Sequence, residues 1–212
     1  MKLSIKICGL NDEESVQSVI KAGADFAGFV HYAKSPRHIS LNVAAQFKEL
    51  LPDTIKSVMV MVNPFDDLLI EMQREIAPDF FQLHGDETKE RVIDIRKKFA
   101  NTGIIKAIAV QNTDDIKKAK EYNNITDFIL FDAKPAENMI HGGNGISFDW
   151  SLLAGNEMPE NWFLSGGLNA GNVKSAISQT GARFIDVSSG VEESRGVKNP
   201  HLIENFIKTA RK

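Results

Sequence analysis

The chain has 212 residues, of which 42% are hydrophobic and 25% charged, and its formal net charge is −3. This length suits one domain with a substantial core. The acidic balance argues against a nucleic-acid binder, which normally carries a basic surplus. No apolar run approaches the ~18 residues of a membrane span. A single cysteine excludes an intramolecular disulfide and a zinc–cysteine cluster. These features predict a cytoplasmic protein with one domain over residues 1–212 and no nucleic-acid or membrane partner.

Short runs rich in Ile, Val and Phe alternate with amphipathic stretches along the whole chain. These runs are apolar throughout, which is typical of parallel strands that are covered on both faces. Strands are predicted near residues 3–8, 26–31, 56–62, 79–84, 104–109, 127–132, 162–165 and 184–188.

Helical spacing fills the segments between the strands. Asn63 is predicted as an N-cap with Pro64 as the first helical residue, Gly181 as a helix stop, and Asn199–Pro200 as the start of the last helix. Apolar helical faces are predicted from Leu68, Leu69, Met72 and Ile76; from Val92, Ile95 and Phe99; from Val173, Ala176 and Ile177; and from Leu202, Ile203, Phe206, Ile207 and Ala210. The sixth helix is the weakest, since only Phe148–Leu153 remains after the glycine-rich Gly142–Gly145.

Eight strands alternating with about eight helices indicate a parallel α/β fold, either an open doubly wound sheet or a closed barrel. A short repeat begins alternate strands, at intervals of 54, 48 and 56 residues: Asp25–Phe26, Asp79–Phe80, Asp127–Phe128 and Arg183–Phe184. Four such periods favour closure, and no glycine-rich dinucleotide fingerprint follows the first strand. We therefore predict a single-domain, eight-stranded parallel (βα)₈ TIM barrel.

In such a barrel the functional groups lie where the strands run into the βα loops. Most of these ends carry polar or small residues, namely Cys8, His31, Asn63, His84, Asp132, Ser165 and Ser188. Strand ends are often polar simply because they meet water, so the whole set carries the prediction and no single member does.

Two glycine-bearing loops follow the seventh and eighth strands. Ser165–Gly166–Gly167 allows backbone N–H groups to approach an anion closely, and Ser188–Ser189–Gly190 offers the same in the next unit. Phosphate is commonly held at this place in (βα)₈ barrels. Either loop alone is compatible with ordinary turn chemistry, but the adjacent pair predicts a phosphate site.

Cys8 and Asp132 form a candidate pair of base and acid. A thiol pKa starts near ~8.5 and must be lowered for a base at neutral pH, for example by nearby cations. A carboxyl pKa starts near ~4 and must be raised for an acid, as burial does. The alternative for Cys8 is a small buried hydrophobic residue, which most free cysteines are.

Three further features suggest functions that the sequence leaves open. Arg37 is either a bidentate clamp for a carboxylate or a solvated charge. The Gly142–Gly145 segment is either a mobile lid or a flexible connection. The set His31, His84, Asp132 and Asp186 would suit a divalent metal, although no tight ligand spacing supports that interpretation.

The chain resembles the phosphoribosylanthranilate isomerases of tryptophan biosynthesis, and the resemblance runs from the first strand to the last. The matching motifs are Lys6–Ile7–Cys8–Gly9–Leu10, Gly23–Ala24–Asp25, Gly28–Phe29–Val30, Ser35–Pro36–Arg37, Gln82–Leu83–His84–Gly85, Leu130–Phe131–Asp132, Phe148–Asp149–Trp150, Leu164–Ser165–Gly166–Gly167–Leu168–Asn169 and Asp186–Val187–Ser188–Ser189–Gly190–Val191–Glu192.

The resemblance implies an Amadori rearrangement of N-(5-phosphoribosyl)anthranilate to a 1-deoxyribulose 5-phosphate, without a metal or organic cofactor. Cys8 would remove the ribose C2 proton, and Asp132 would protonate the ring oxygen as the furanose opens. The substrate is then a small phosphorylated molecule, and the chain is expected to act as a monomer or homodimer.

The same resemblance implies the binding residues. Arg37 would hold the anthranilate carboxylate, and His84 and Asp186 would line the pocket. The phosphate would be bound by the backbones of Gly166, Gly167, Ser189 and Gly190.

Two positions depart from the family pattern, and two alternatives remain. His31 stands where an aromatic such as Phe is common, and Pro135–Ile140 has no clear counterpart. One alternative is a related phosphosugar isomerase or metal-dependent epimerase, although a ketol-isomerase of histidine synthesis would be expected to carry an acid in place of Cys8. The other is a phosphate-binding module that has lost the acid or the base.

Overall fold

The computed structural model describes residues 3–133, 149–153 and 156–212. Eight parallel strands form a closed barrel in chain order, and the last strand pairs with the first. These strands are β1 (Ser4–Cys8), β2 (Phe26–Val30), β3 (Lys56–Met61), β4 (Phe80–Leu83), β5 (Gly103–Val110), β6 (Phe128–Ala133), β7 (Trp162–Leu164) and β8 (Phe184–Val187). The predicted barrel is confirmed, and the predicted strands match to within two residues at each end.

Seven α-helices lie within the described parts of the chain. They are α1 (Glu13–Ala22), α2 (Leu41–Leu50), α3 (Asp66–Glu75), α4 (Lys89–Lys98), α5 (Thr113–Ala119), α6 (Val173–Thr180) and α7 (Pro200–Ala210). Between β6 and β7 the described residues form only a 3₁₀ turn, Trp150–Leu152. The Gly142–Gly145 and Pro135–Ile140 segments, and Phe148 at the start of the predicted sixth helix, lie outside the described residues. No helix in the described parts is long and apolar enough to cross a bilayer.

Local chemistry explains several helix ends. Gly181 ends α6 with a φ of 68°, and the Asn199 side chain caps α7 ahead of Pro200, both as predicted. The predicted start of α3 is wrong. Its N-cap position is Phe65 instead of Asn63, because Asn63 adopts a φ of 48° and its side chain accepts a hydrogen bond from the amide of Asp86.

The prediction for the apolar face of α7 is only partly correct. Ile203, Phe206 and Ile207 are buried, whereas Leu202 is 37% exposed. Leu202 precedes the buried Ile203 by one residue and so lies at the edge of the buried helix face.

Two apolar layers follow from the alternation of side chains along each strand. Outward-facing residues such as Ile5, Ile7 and Phe29 pack under the helices in the larger core cluster. Inward-facing residues form a second cluster inside the barrel, composed of Cys8, Phe26, Val58, Val60, Ile105, Ala107, Leu130 and Phe163. Cys8 therefore points into the barrel interior.

The sequence repeat builds the amino-terminal end of the barrel. Its four phenylalanines come together inside the barrel, where Phe128 lies 5.7 Å from Phe80 and 4.9 Å from Phe184 between ring centroids. The three aspartates each accept a backbone N–H from the preceding strand: Asp25 from Ile5, Asp79 from Ser57 and Asp127 from Ile104. The repeat thus closes the end of the barrel opposite the strand carboxyl termini.

Candidate active site

Cys8 is the last residue of β1 and is 7% exposed. It pairs in register with Gly28 on β2, and a Cβ at Gly28 would lie 3.0 Å from the Cys8 sulfur, so a side chain there would crowd the thiol. Burial raises the pKa of Cys8, and the cation of Lys6 only partly opposes it. Desolvation therefore outweighs the nearby cations in the free protein, and the pKa of the thiol lies above its ordinary value.

A buried polar network lies beside Cys8. The ammonium of Lys6, which is fully buried, donates to Asp186 Oδ1 at 2.9 Å, and Ser165 Oγ lies 3.2 Å from Asp186 Oδ2. Lys6 and Asp186 are register partners on β1 and β8. Asp186, predicted as a pocket residue, is thus held in place by an ion pair.

Asp132 lies near the end of β6, 6% exposed, and contacts His84 at the end of β4. Its Oδ2 lies 3.4 Å from His84 Nε2, and its Oδ1 accepts the amide of Ala133. Gln82 Nε2 lies 2.8 Å from His84 Nδ1. When Gln82 donates there, the remaining proton of a neutral imidazole is on Nε2 and points to Asp132.

The two glycine loops touch each other. A Cβ on Gly190 would overlap the Leu168 carbonyl oxygen, so the backbones of the two loops are in direct contact. Gly166 and Gly167 adopt φ values of 87° and 65°, which favour glycine. A Cβ on Gly166 would also lie 3.3 Å from Asp132 Oδ1, so this loop borders the carboxylate.

A buried ion cluster lies on the other side of Cys8. Arg37 Nε and Nη2 donate to the two oxygens of Glu192 at 2.6 and 2.8 Å, and Lys198 Nζ donates to Glu192 Oε1 at 2.6 Å. Lys198 also donates to the carbonyl of Ser188 in the second glycine loop. Burial opposes the charge on Glu192, but Arg37 and Lys198 outweigh it and lower the pKa of this carboxyl.

Glu192 and Lys198 belong to a small antiparallel hairpin after β8, formed by β9 (Glu192–Ser194) and β10 (Val197–Lys198). The amide of Gly196 in its turn donates to Glu192, and Asn11 donates to the carbonyl of Gly196. The hairpin therefore joins the Arg37 loop to the second glycine loop.

Comparison with known proteins decides the family. Residues 5–209 match the family model "N-(5'phosphoribosyl)anthranilate (PRA) isomerase". A relative of that name from Parvibaculum lavamentivorans is 44% identical over 215 residues, covering 100% of both chains. The chain belongs to the phosphoribosylanthranilate isomerase family. As a member it is an isomerase of tryptophan biosynthesis, which confirms the resemblance seen in the motifs.

Solved structures of phosphoribosylanthranilate isomerases agree. The enzyme from Thermotoga maritima superposes with a TM-score of 0.87 at 38% identity and covers 98% of both chains. A second structure of a family member is a complex with reduced 1-(o-carboxyphenylamino)-1-deoxyribulose 5-phosphate; its TM-score is 0.84 at 35% identity, again with 98% of both chains covered. The family match favours the isomerase over the related phosphosugar isomerase or epimerase.

The metal interpretation of four residues is not supported by their geometry. Only His84 and Asp132 lie against each other, whereas Asp186 is paired with Lys6 and His31 Nδ1 contacts the carbonyl of Ile39. Within the described parts of this phosphoribosylanthranilate isomerase, no three His, Cys, Asp or Glu side chains converge to hold a metal ion.

Four residues of the site carry no role in the sequence-based prediction: Lys6, Gln82, Glu192 and Lys198. Strand alternation could have identified Lys6 and Gln82, because each lies two residues from a predicted site residue, Cys8 or His84, on the same strand face. Lys198 gives no such signal, because it lies on β10, outside the barrel strands. The fold of the hairpin places it next to Glu192.

Proposed function

We propose that this isomerase converts N-(5-phospho-β-D-ribosyl)anthranilate into 1-(2-carboxyphenylamino)-1-deoxy-D-ribulose 5-phosphate, with Asp132 as general acid and Cys8 as general base. One observation carries this proposal: the thiol of Cys8 and the carboxylate of Asp132 both lie at inward-facing positions close to the carboxyl ends of β1 and β6. The ligand in the related complex carries the phosphate and carboxyl groups of this product.

The reaction balances without a redox step. Asp132 gives its proton to the ring oxygen as the bond from that oxygen to C1 breaks, which leaves an iminium group at C1 and nitrogen. Cys8 then takes the proton from C2, and the electron pair forms the C1–C2 double bond of an enolamine. Tautomerisation of the enolamine gives the aminoketone product. The two proton transfers need two separate groups, and these are Asp132 on β6 and Cys8 on β1.

The raised pKa of Cys8 is compatible with this role. A less acidic thiol is less ionised at neutral pH, but its thiolate is a stronger base. The iminium intermediate brings a positive charge next to Cys8, and a positive charge within ~4–6 Å favours the thiolate. The intermediate formed from the substrate thereby favours ionisation of the Cys8 thiol.

The ends of the substrate are held by separate groups in this proposal. The backbones of Gly166, Gly167, Ser189 and Gly190 bind the phosphate, since the two loops already touch. Arg37, whose guanidinium is oriented by Glu192, holds the anthranilate carboxylate. His84 and Asp186 contact the sugar.

We further propose that residues 1–212 act as one catalytic domain in the cytoplasm, as a monomer or homodimer, and without a cofactor, a nucleic acid or a membrane. A family member from Thermotoga maritima is described as dimeric. The acidic net charge of −3 supports the absence of a nucleic-acid partner.

Replacing the two proposed catalytic groups tests the mechanism. Cys8→Ala and Asp132→Asn are each expected to lower kcat by at least about 100-fold, the usual contribution of a positioned acid or base. Turnover of phosphoribosylanthranilate is followed by loss of its fluorescence, and far-ultraviolet circular dichroism checks the fold.

Asp114→Asn is a suitable control, because Asp114 forms an exposed ion pair with Lys117 on α5, a helix that the mechanism does not use. Near-normal kcat in Cys8→Ala would remove the assigned base. Full turnover in both variants would refute the mechanism but not the family.

A further inference from the structure

Lys6 is a buried cation for which the proposed reaction has no use. Its side chain is 0% exposed, which is costly for an ammonium unless a partner compensates. Asp186 compensates with an ion pair at 2.9 Å. Burial opposes the charge on Lys6, but Asp186 and Cys8 outweigh it and raise the pKa of this ammonium, so Lys6 is charged inside the barrel.

The geometry places this cation against the thiol. Lys6 and Cys8 are two residues apart on β1 and therefore share its inward face. Both side chains pack on the same glycine, since a Cβ at Gly28 would lie 3.0 Å from Cys8 Sγ and 3.2 Å from Lys6 Cε. The ammonium donates to Asp186 at 2.9 Å, and its positive charge favours the ionised form of the neighbouring thiol.

We propose that Lys6 is a positioning residue of this isomerase: its ammonium, held by Asp186, stabilises the thiolate form of Cys8. This inference rests on the proposed role of Cys8 as the base and adds the group that makes the base available. Lys6 does not need to touch the substrate, because it acts through the charge on sulfur.

Other charged groups around Cys8 also influence the ionisation of its thiol. On β8, Asp186 opposes the thiolate, and on β10 Lys198 favours it. Arg37 packs against Gly9, next in the chain, while Glu192 neutralises its charge. Of these cations, Lys6 is the one that shares the inward face of β1 with the thiol.

The test is a direct titration of the thiol in the free protein. Cys8 is the only cysteine in the chain, so the ultraviolet absorbance of the thiolate reports this residue alone after subtraction of a Cys8→Ala blank. Lys6→Met is expected to raise the pH of the titration midpoint by about 1–3 pH units, the usual effect of removing an adjacent opposite charge. A midpoint equal to that of the wild type would overturn the proposal.

Lys106→Met is the matched control. Lys106 is also a buried lysine in an ion pair, with Glu87 at 2.9 Å, but it alternates with the inward-facing Ile105 and Ala107 and so points away from the interior. Its loss is expected to destabilise the protein without moving the thiol midpoint. An equal shift in Lys106→Met would mean that Lys6 acts only through general stability.

Lys6→Met leaves the buried carboxylate of Asp186 without its ion-pair partner, which destabilises the fold. The double variant K6M/D186N avoids this problem and provides the second measurement. It removes both charges, and the thiol midpoint is still expected to rise because Lys6 favours the thiolate more strongly than Asp186 opposes it. A midpoint at or below the wild-type value would contradict the proposal. The titration is independent of turnover, so normal activity in Cys8→Ala would refute the proposed base while leaving this result intact.

Discussion

Glu192 connects the groups that surround the site. Its carboxylate, 3% exposed, binds Arg37 through two nitrogens and Lys198 through a third, and it also accepts the amide of Gly196. Two cations so close together repel each other unless an anion lies between them. Glu192 therefore determines the position of Arg37, the proposed carboxylate ligand.

Glu192→Gln is expected to reduce the free energy of unfolding by about 3–5 kcal/mol at neutral pH, the cost of removing one partner from a buried ion pair. Because folding lowers the pKa of Glu192, its contribution is present above the unfolded carboxyl pKa of about 4.3 and is lost as pH falls through the folded value. Urea denaturation at several pH values should thus show a gap between wild type and variant that narrows in acid.

Glu157→Gln is the control for this prediction, because Glu157 forms an exposed pair with Lys120 and its side chain is 86% exposed. Exposed pairs contribute little, so no resolvable change is expected. A gap for Glu192→Gln that stays constant down to acid pH would contradict the assigned ionisation.

At the level of elements, the short repeat that begins alternate strands has a structural role. Each aspartate accepts a backbone N–H of the preceding strand, and each phenylalanine joins one aromatic layer at the amino-terminal end of the barrel. Residues at this end of a (βα)₈ barrel serve stability, whereas the opposite end carries function. The repeat was predictable from sequence as a barrel signal, but the bonds that explain it require the paired strands.

Asp79→Asn tests this interpretation. Asp79 accepts the amide and hydroxyl of Ser57 at 2.9 and 2.7 Å, and charged hydrogen bonds of this kind contribute about 1.5–3 kcal/mol each. We expect a loss of about 1–3 kcal/mol in the free energy of unfolding, measured in urea, with kcat unchanged. Asp114→Asn, on an exposed face of α5, is expected to alter neither quantity.

A fall in kcat for Asp79→Asn in fully folded protein would place the repeat in the catalytic machinery. The opposite ends of the barrel would then not be independent, contrary to the division of roles described above.

For the whole molecule, the arrangement of the last two βα units produces the predicted phosphate site. The glycine loops after β7 and β8 are neighbours because the barrel closes in chain order, and their backbones touch at Gly190 and Leu168. Neither loop alone explains why glycine is needed at position 190; the contact between them does.

Gly190→Ala is therefore expected to push the loops apart and weaken phosphate binding. We predict a rise in KM of about tenfold or more, equal to about 1.4 kcal/mol of lost binding. Competitive inhibition by inorganic phosphate should weaken in parallel.

Gly181→Ala is the control, since a Cβ there meets no atom within 4 Å although its φ of 68° makes alanine strained. It should lower stability and leave phosphate inhibition intact. An unchanged inhibition constant in Gly190→Ala would mean that the phosphate lies elsewhere.

By itself the sequence determined the eight strands, their order, the closed barrel and the residues that carry the family motifs. The strands and helices follow from local patterns, namely short apolar runs and helical spacing, and closure follows from the motif that recurs at every second strand. Only the tertiary structure decided that Glu192 holds Arg37, 155 residues away, and that a hairpin brings Lys198 to the site. It also decided the direction of the Cys8 pKa, because burial depends on every strand that closes around the thiol.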